Sequence, residues 1–148
     1  MASFSFERDV AAPPQTVFDV LTEHHLYAAI ITPLRRSTLE RQGEPAPNGV
    51  GAIRALTSLG PPWREEVIAY QPPDRFSYKL LSGAPVRDHV GTVELTPRGA
   101  GTRMVYALRT TPTLPYVGAA VIGTAKLAVK ALIEGVSTES ERRAADAR

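Results

Sequence analysis

Tyr78, His89 and Tyr106 have side chains suited to acid–base work on a carbonyl compound. A neutral imidazole near physiological pH can shuttle a proton during an aldol closure or a dehydration. The two phenols can hold the carbonyl that such a reaction polarises, or they can be core aromatics whose hydroxyls reach a partner. His89 also has a structural role open to it, at a strand start, bonded to Asp88 or to the backbone. With no partner for it visible in the sequence, that role is favoured. Arg54 and Glu65 are a second charged set. Buried together they would anchor the polar end of a ligand, whereas on a solvated sheet face they would be an ordinary cross-strand pair, the favoured reading here. His24 and His25 are adjacent, and on a helix they point about 100° apart. They cannot easily share one metal ion, and neither a metal site nor a cofactor is expected.

Other chemistries lack their residues. The chain has no cysteine, which removes thiol catalysis, Cys-ligated zinc, disulfides and iron–sulfur clusters. No GxSxG elbow, P-loop or HExxH occurs, and Gly49-Val-Gly51 lacks the third glycine of a dinucleotide loop. Ser137, Thr138 and Ser140 have no base nearby in the sequence. A net charge of +2, with Arg35-Arg36 and Arg142-Arg143 as isolated basic pairs, gives no basis for nucleic-acid binding. The Met1–Asp9 segment has no basic start followed by an apolar run, so no secretory signal is expected and a reducing cytoplasm fits. The apolar stretch 117–133 is interrupted by Lys126 and Lys130, and one lysine at mid-bilayer costs about 2.5–3.5 kcal/mol, so stable membrane insertion is not expected.

The elements that must position these groups follow from periodicity. Phe4, Phe6 and Val10 alternate with polar residues, the period of a half-buried strand. Pro13-Pro14 stops it and opens a helix over 14–22, with a second short helix near 23–30. Six strands follow, at 35–42, 49–58, 63–70, 75–81, 87–96 and 102–111, each break carrying Gly or Pro. Those breaks account for most of the 13 Pro and 11 Gly. Strands in sequence joined by short turns make an antiparallel meander. A long helix spans 116–142, and the polar residues from Glu139 onward fray. The expected organisation is one domain over 1–142 with a polar tail at 143–148.

Alternation puts Tyr78 inward, with His89, Gly91, Val93 and Leu95 on one inward face and Met104, Tyr106 and Leu108 on another. On the last helix Lys126, Lys130, Glu134, Ser137 and Glu141 share an outer arc. Opposite lie Val121, Thr124, Ala128, Ala131, Leu132 and Gly135. Many of these inner residues are small, which either lets the helix approach the sheet closely or leaves a hollow. Gly91 and Gly135 mark where side-chain volume is missing.

Ordered motifs span most of the chain: Pro14-x-x-Val17-Phe18, Tyr27 with Thr32-Pro33, Asn48-Gly-Val-Gly51 leading to Arg54, Glu65-Glu66-Val67, Pro72-Pro73-x-Arg75-Phe76-x-Tyr78, Gly91-x-Val93, and Gly101-Thr102 ahead of Tyr106. In this order they resemble the SRPBCC superfamily, the START-like group of polyketide cyclase/dehydrase-like and lipid-transport proteins. Relatives often carry a tryptophan just before the Thr-Pro pair, where this chain reads Ala28-Ala-Ile-Ile31.

The resemblance implies an α+β helix-grip fold: a seven-stranded curved antiparallel sheet wrapped around the C-terminal helix, with an apolar cavity between them. It does not imply one reaction, because members range from cyclases and hydrolases to receptors and carriers. The expected partner is therefore a hydrophobic small molecule, carried or sensed in the cavity, and no protein partner is specified. The candidate lining is Arg54, Glu65, Tyr78, His89, Gly91, Met104, Tyr106, Leu108, Val121, Thr124 and Ala128. The alternative is a cyclase or dehydratase using His89 with Tyr78 or Tyr106.

Overall fold

The opening alternation forms β1 (Ala2–Val10), whose even-numbered residues from Phe4 to Val10 face the helix layer. In a computed structural model describing residues 1–30 and 35–148, α1 (Pro14–Thr22) follows, then a 3₁₀ turn (His24–Leu26) and α2 (Tyr27–Ile30). Thr32-Pro33 and Ile31 lie outside the described residues. Six further strands follow: β2 (Arg36–Arg41), β3 (Ile53–Thr57), β4 (Trp63–Gln71), β5 (Arg75–Ser82), β6 (Val86–Arg98) and β7 (Gly101–Pro112). The chain then runs into α3 (Gly118–Asp146). The strands make one antiparallel sheet in the order β1-β7-β6-β5-β4-β3-β2, so β1 closes one edge against the last strand.

Two boundaries differ by more than two residues from those read in the sequence. β3 begins at Ile53 and not at Gly49, because Gly43–Ala52 closes on itself: Glu44 bridges Val50, and the Ala52 amide donates to the Gly49 carbonyl at 3.0 Å. The C-terminal residues are not a frayed tail. Helix α3 continues to Asp146, Ala144 is buried, and Arg143 donates from both terminal nitrogens to the two carboxylate oxygens of Glu23 at 2.9 Å. Glu23 stands at the end of α1, so this fork ties the tip of α3 to the helix beneath it.

The faces of α3 also differ from the single arc expected. Its C-terminal half packs on α1, and the buried residues of the helix begin at Val129 and Leu132, beside the cavity, and continue through Ile133, Val136, Ser137, Ser140 and Ala144. Ser137, expected outside, is fully buried, and neither its hydroxyl nor that of Ser140 has a hydrogen-bond partner among the described residues. Small side chains at 137, 140 and 144 let the two helices approach closely. The N-terminal half instead overlooks the middle of the sheet, where Thr124 and Ala128 remain exposed. A helix with two partners along its length has no single inner face. The lysine side of α3 lies over β1: Lys126 and Lys130 sit above the Phe4 and Phe6 rings at 5.6 and 5.1 Å, and Glu134 pairs with Arg8.

The packed core fills the end of the sheet under α1. Phe18 meets Tyr70 and Phe76 edge to face, among Val67, Val93, Leu95 and Met104. Past Phe76 the side chains no longer fill the gap between sheet and helix.

Candidate functional site

The gap is a cavity of about 340 Å³ between the concave sheet and the N-terminal half of α3. Four strands, β3, β4, β5 and β7, supply its polar end. On β3 and β4, Arg54 stands directly opposite Glu65 in the register, and both side chains turn inward. Arg54 Nε donates to Glu65 Oε1 at 3.2 Å, and Trp63 Nε1 donates to Glu65 Oε2 at 2.7 Å. Arg54 and Glu65 are only 2% and 4% exposed, which overturns the wet-face reading of this pair. Alternation concealed it because β3 is buried over three successive residues, Arg54 to Leu56: Ala55, on the outward side, is short enough to be covered by its neighbours.

The guanidinium also lies against aromatic faces, 5.0 Å from the ring centres of Tyr27 and Phe76 and 5.8 Å from that of Tyr78. Burial disfavours its charge, but the oxygens of Tyr27 and Glu65 more than offset this, and its pKa stands above the ordinary value. Beside it, the Tyr78 and Tyr106 hydroxyls meet at 2.5 Å. Burial raises both phenols above their ordinary pKa, so they remain protonated at neutral pH. One hydroxyl of the pair donates to the other, and the second proton is free to be donated to a ligand oxygen.

His89 lies on the same face, 4% exposed, with its ring edge-on to Trp63 at 5.2 Å between ring centres. Its Nδ1 is 3.0 Å from Thr110 Oγ1, so its hydrogen-bond partner is a side chain of the neighbouring strand. Burial lowers its pKa to about 4, and it is a neutral and weak base at pH 7. This sets a pH dependence of stability. The folded pKa lies below the unfolded value of about 6.5, so between these two pH values the unfolded chain binds more protons. Stability contributed by neutral His89 is present above about pH 6.5 and falls as pH drops toward 4. Urea unfolding at pH 7 and pH 4.5 is expected to show a decline that His89→Gln reduces, by on the order of 2–3 kcal/mol. His24 acts in the same direction and remains in that variant. Burial, with Arg54 nearby, holds its pKa near 4 as well. An unchanged pH slope in His89→Gln would refute the assignment.

The other expected lining residues divide. Leu108, Thr124 and Ala128 border the cavity. Met104 is packed in the core beneath α1, and Val121 borders a neighbouring cavity. Gly91 marks no hollow: a Cβ there would stand 2.5 Å from Cε1 and Cζ of Tyr78, whose ring occupies the vacated space. The expected lining left out Tyr27, Trp63, Val129 and Leu132, although Leu132 stood on the inner face read for the last helix. Trp63 was available to the sequence reading, because Trp63 and Glu65 are two apart on one strand and must share a face.

A family model described as polyketide cyclase / dehydrase and lipid transport matches residues 1–145. No curated protein matches the chain in sequence. Among solved structures, a START superfamily protein from Mycobacterium smegmatis superimposes with a TM-score of 0.77 at 16% identity, over 95% of this chain and 97% of that one. The di-domain ARO/CYC StfQ from the steffimycin biosynthetic pathway gives 0.80 at 17% identity, over 97% of this chain and 52% of that one. The ginseng major latex-like protein 151 from Panax ginseng gives 0.73 at 12% identity, over 94% of this chain and 97% of that one. At these identities the likeness is one of fold: a curved seven-stranded sheet, short helices after the first strand and a long C-terminal helix.

Proposed function

The chain belongs to the polyketide cyclase / dehydrase and lipid transport family, and we propose that it binds a hydrophobic small molecule in the cavity between sheet and α3, as a carrier or sensor. The observation that carries this reading is the distribution of polarity around the cavity. Arg54, Glu65, Tyr78 and Tyr106 gather at one end, while the helix side offers Ala125, Ala128, Val129 and Leu132. Such a site holds an apolar body by burial and orients it by one or two oxygens. A lipid, polyketide or isoprenoid-like compound with a carbonyl or hydroxyl group fits that description.

Protein purified without denaturation is expected to release a bound apolar compound in mass spectrometry. A panel of fatty acids, sterols and polyphenols is expected to raise Tm. At a ligand concentration 100-fold above Kd the gain is about 2.7 kcal/mol, roughly 5–10 °C for a domain of this size. No co-purifying compound and no shift with any panel member would overturn the proposal.

A cyclase or dehydratase is the second reading, favoured by one observation: His89 turns toward the cavity and not toward solvent. Against it stand the depressed pKa of His89 and the pairing of the two phenols with each other. His89→Ala separates the two, since a carrier keeps its ligand and a cyclase relying on this imidazole loses turnover.

A further inference from the structure

A second cavity, of about 270 Å³, adjoins the first. Trp63 and His89 line both cavities from the sheet side, and Thr124, Ala125 and Ala128 line both from α3. The second cavity is otherwise apolar, with Pro85 and Val86 on one side and Val121 on the other. The single polar side chain that it adds, Thr110, is bonded to His89.

The backbone brings Val86 to the same side as His89 at this junction. Pairing between β6 and β7 runs Arg87 with Thr111 and then Val90 with Arg109, so Asp88 and His89 together oppose Thr110. Asp88 has φ of 51°, a conformation unfavourable for a residue with a Cβ. The extra residue allows Val86 and His89, three apart, to face the same cavity, which regular alternation forbids. Strain and a bulge coincide at the one place where the two cavities meet.

We propose that Trp63 and His89, opposite Ala125 of α3, form a waist that joins two chambers into one site for an elongated amphiphile. Its oxygen sits at the Arg54, Tyr78 and Tyr106 end, and its apolar remainder passes the waist into the second chamber. This rests on the reading of the first cavity as a ligand site and adds the dimension along which ligands are selected. Each chamber alone lies near or below the small end of the usual range for ligand sites, about 300–1,000 Å³, and the two joined lie well within it. Ala125 leaves the waist open from the helix side, and Trp63 and His89, packed edge to face, hold it at fixed width.

A series of 4-alkylphenols from methyl to decyl tests the waist, with binding followed through fluorescence of Trp63, the one tryptophan of the chain. In the natural protein affinity is expected to rise about fourfold per added methylene while the tail finds apolar surface. In Ala125→Phe, which also narrows the first cavity, the rise is expected to stop at a shorter tail. In Val121→Phe, which fills the second chamber beyond the waist, it is expected to stop at an intermediate tail. Val121 borders the second chamber and not the first, so short members are expected to bind Val121→Phe as before, which also reports that this variant is folded. Long tails that bind both variants as they bind the natural protein, or a loss equal at every length in Val121→Phe, would overturn the waist alone. No binding of any member to the natural protein would overturn the ligand-site reading beneath it.

Discussion

Arg54→Met is expected to lose about 3–5 kcal/mol of folding stability, more than any other single change at the polar end of the cavity. The substitution keeps most of the side-chain volume but leaves Glu65 as an uncompensated charge at 4% exposure, with only the Trp63 indole still donating to it. It also removes the cation from the faces of Tyr27 and Phe76. The second half of the prediction separates a costly orphan from a valuable pair. Arg54→Met with Glu65→Leu removes both charges and is expected to recover most of the loss, because a buried ion pair replaced by apolar residues of similar volume is often neutral. Urea unfolding of the natural protein, the single variant and the double variant measures this directly. A single variant within about 1 kcal/mol of the natural protein would show that Glu65 is solvated once alone, contrary to the burial described. In function, the double variant is expected to stay folded and to bind oxygen-bearing ligands with less preference, since only the Tyr78–Tyr106 pair then remains at that end.

Gly91→Ala is expected to cost about 1–3 kcal/mol by overpacking, although it adds a single methyl group. The new Cβ would fall at 2.5–2.6 Å from three atoms of the Tyr78 ring. That ring cannot slide aside freely, since Phe76, Tyr106 and the Arg54 guanidinium flank it. Displacing it would also break the hydroxyl contact with Tyr106. A mutant cycle isolates the cause: in a Tyr78→Ala background the same Gly91→Ala change is expected to cost far less, because its collision partner has gone. Equal costs in both backgrounds would place the effect in the β6 backbone and not in the ring. Ligands whose oxygen docks at the phenol pair are expected to bind Gly91→Ala weakly even where it remains folded.

The strands and α1 were legible because period-two alternation and Pro/Gly breaks are local signals, and each short turn allowed little freedom in pairing. The motif order carried the family. The site was legible where alternation was clean, as at Tyr78 and Tyr106. It failed at Arg54 and Glu65, where covering of the outward Ala55 made three successive residues of β3 buried. It failed again on α3, since helical periodicity locates an apolar arc only when one partner runs the length of the helix. Here α1 holds one half and the cavity underlies the other. Gly91 shows a subtler limit. A missing side chain in the sequence is either an empty space or a seat for a neighbour, and only the position of Tyr78 decides which. Alternation with Gly91, Val93 and Leu95 placed His89 inward, but the bulge at Asp88 that brings Val86 onto the same face has no sequence signature.

The sheet order carries a consequence for how the chain is made. Ala2 pairs with Thr110 and Val10 with Thr102, so the strand synthesised first waits for the one synthesised last. Strands β2 to β7 can assemble hairpin by hairpin as they leave the ribosome, while β1 stays an unpaired edge until β7 arrives. Only then does α3 have both Phe4 and Phe6 to lie against and Glu23 to fasten to. The pocket is thus the last feature to form, which leaves the unpaired β1 as the segment most in need of protection during synthesis.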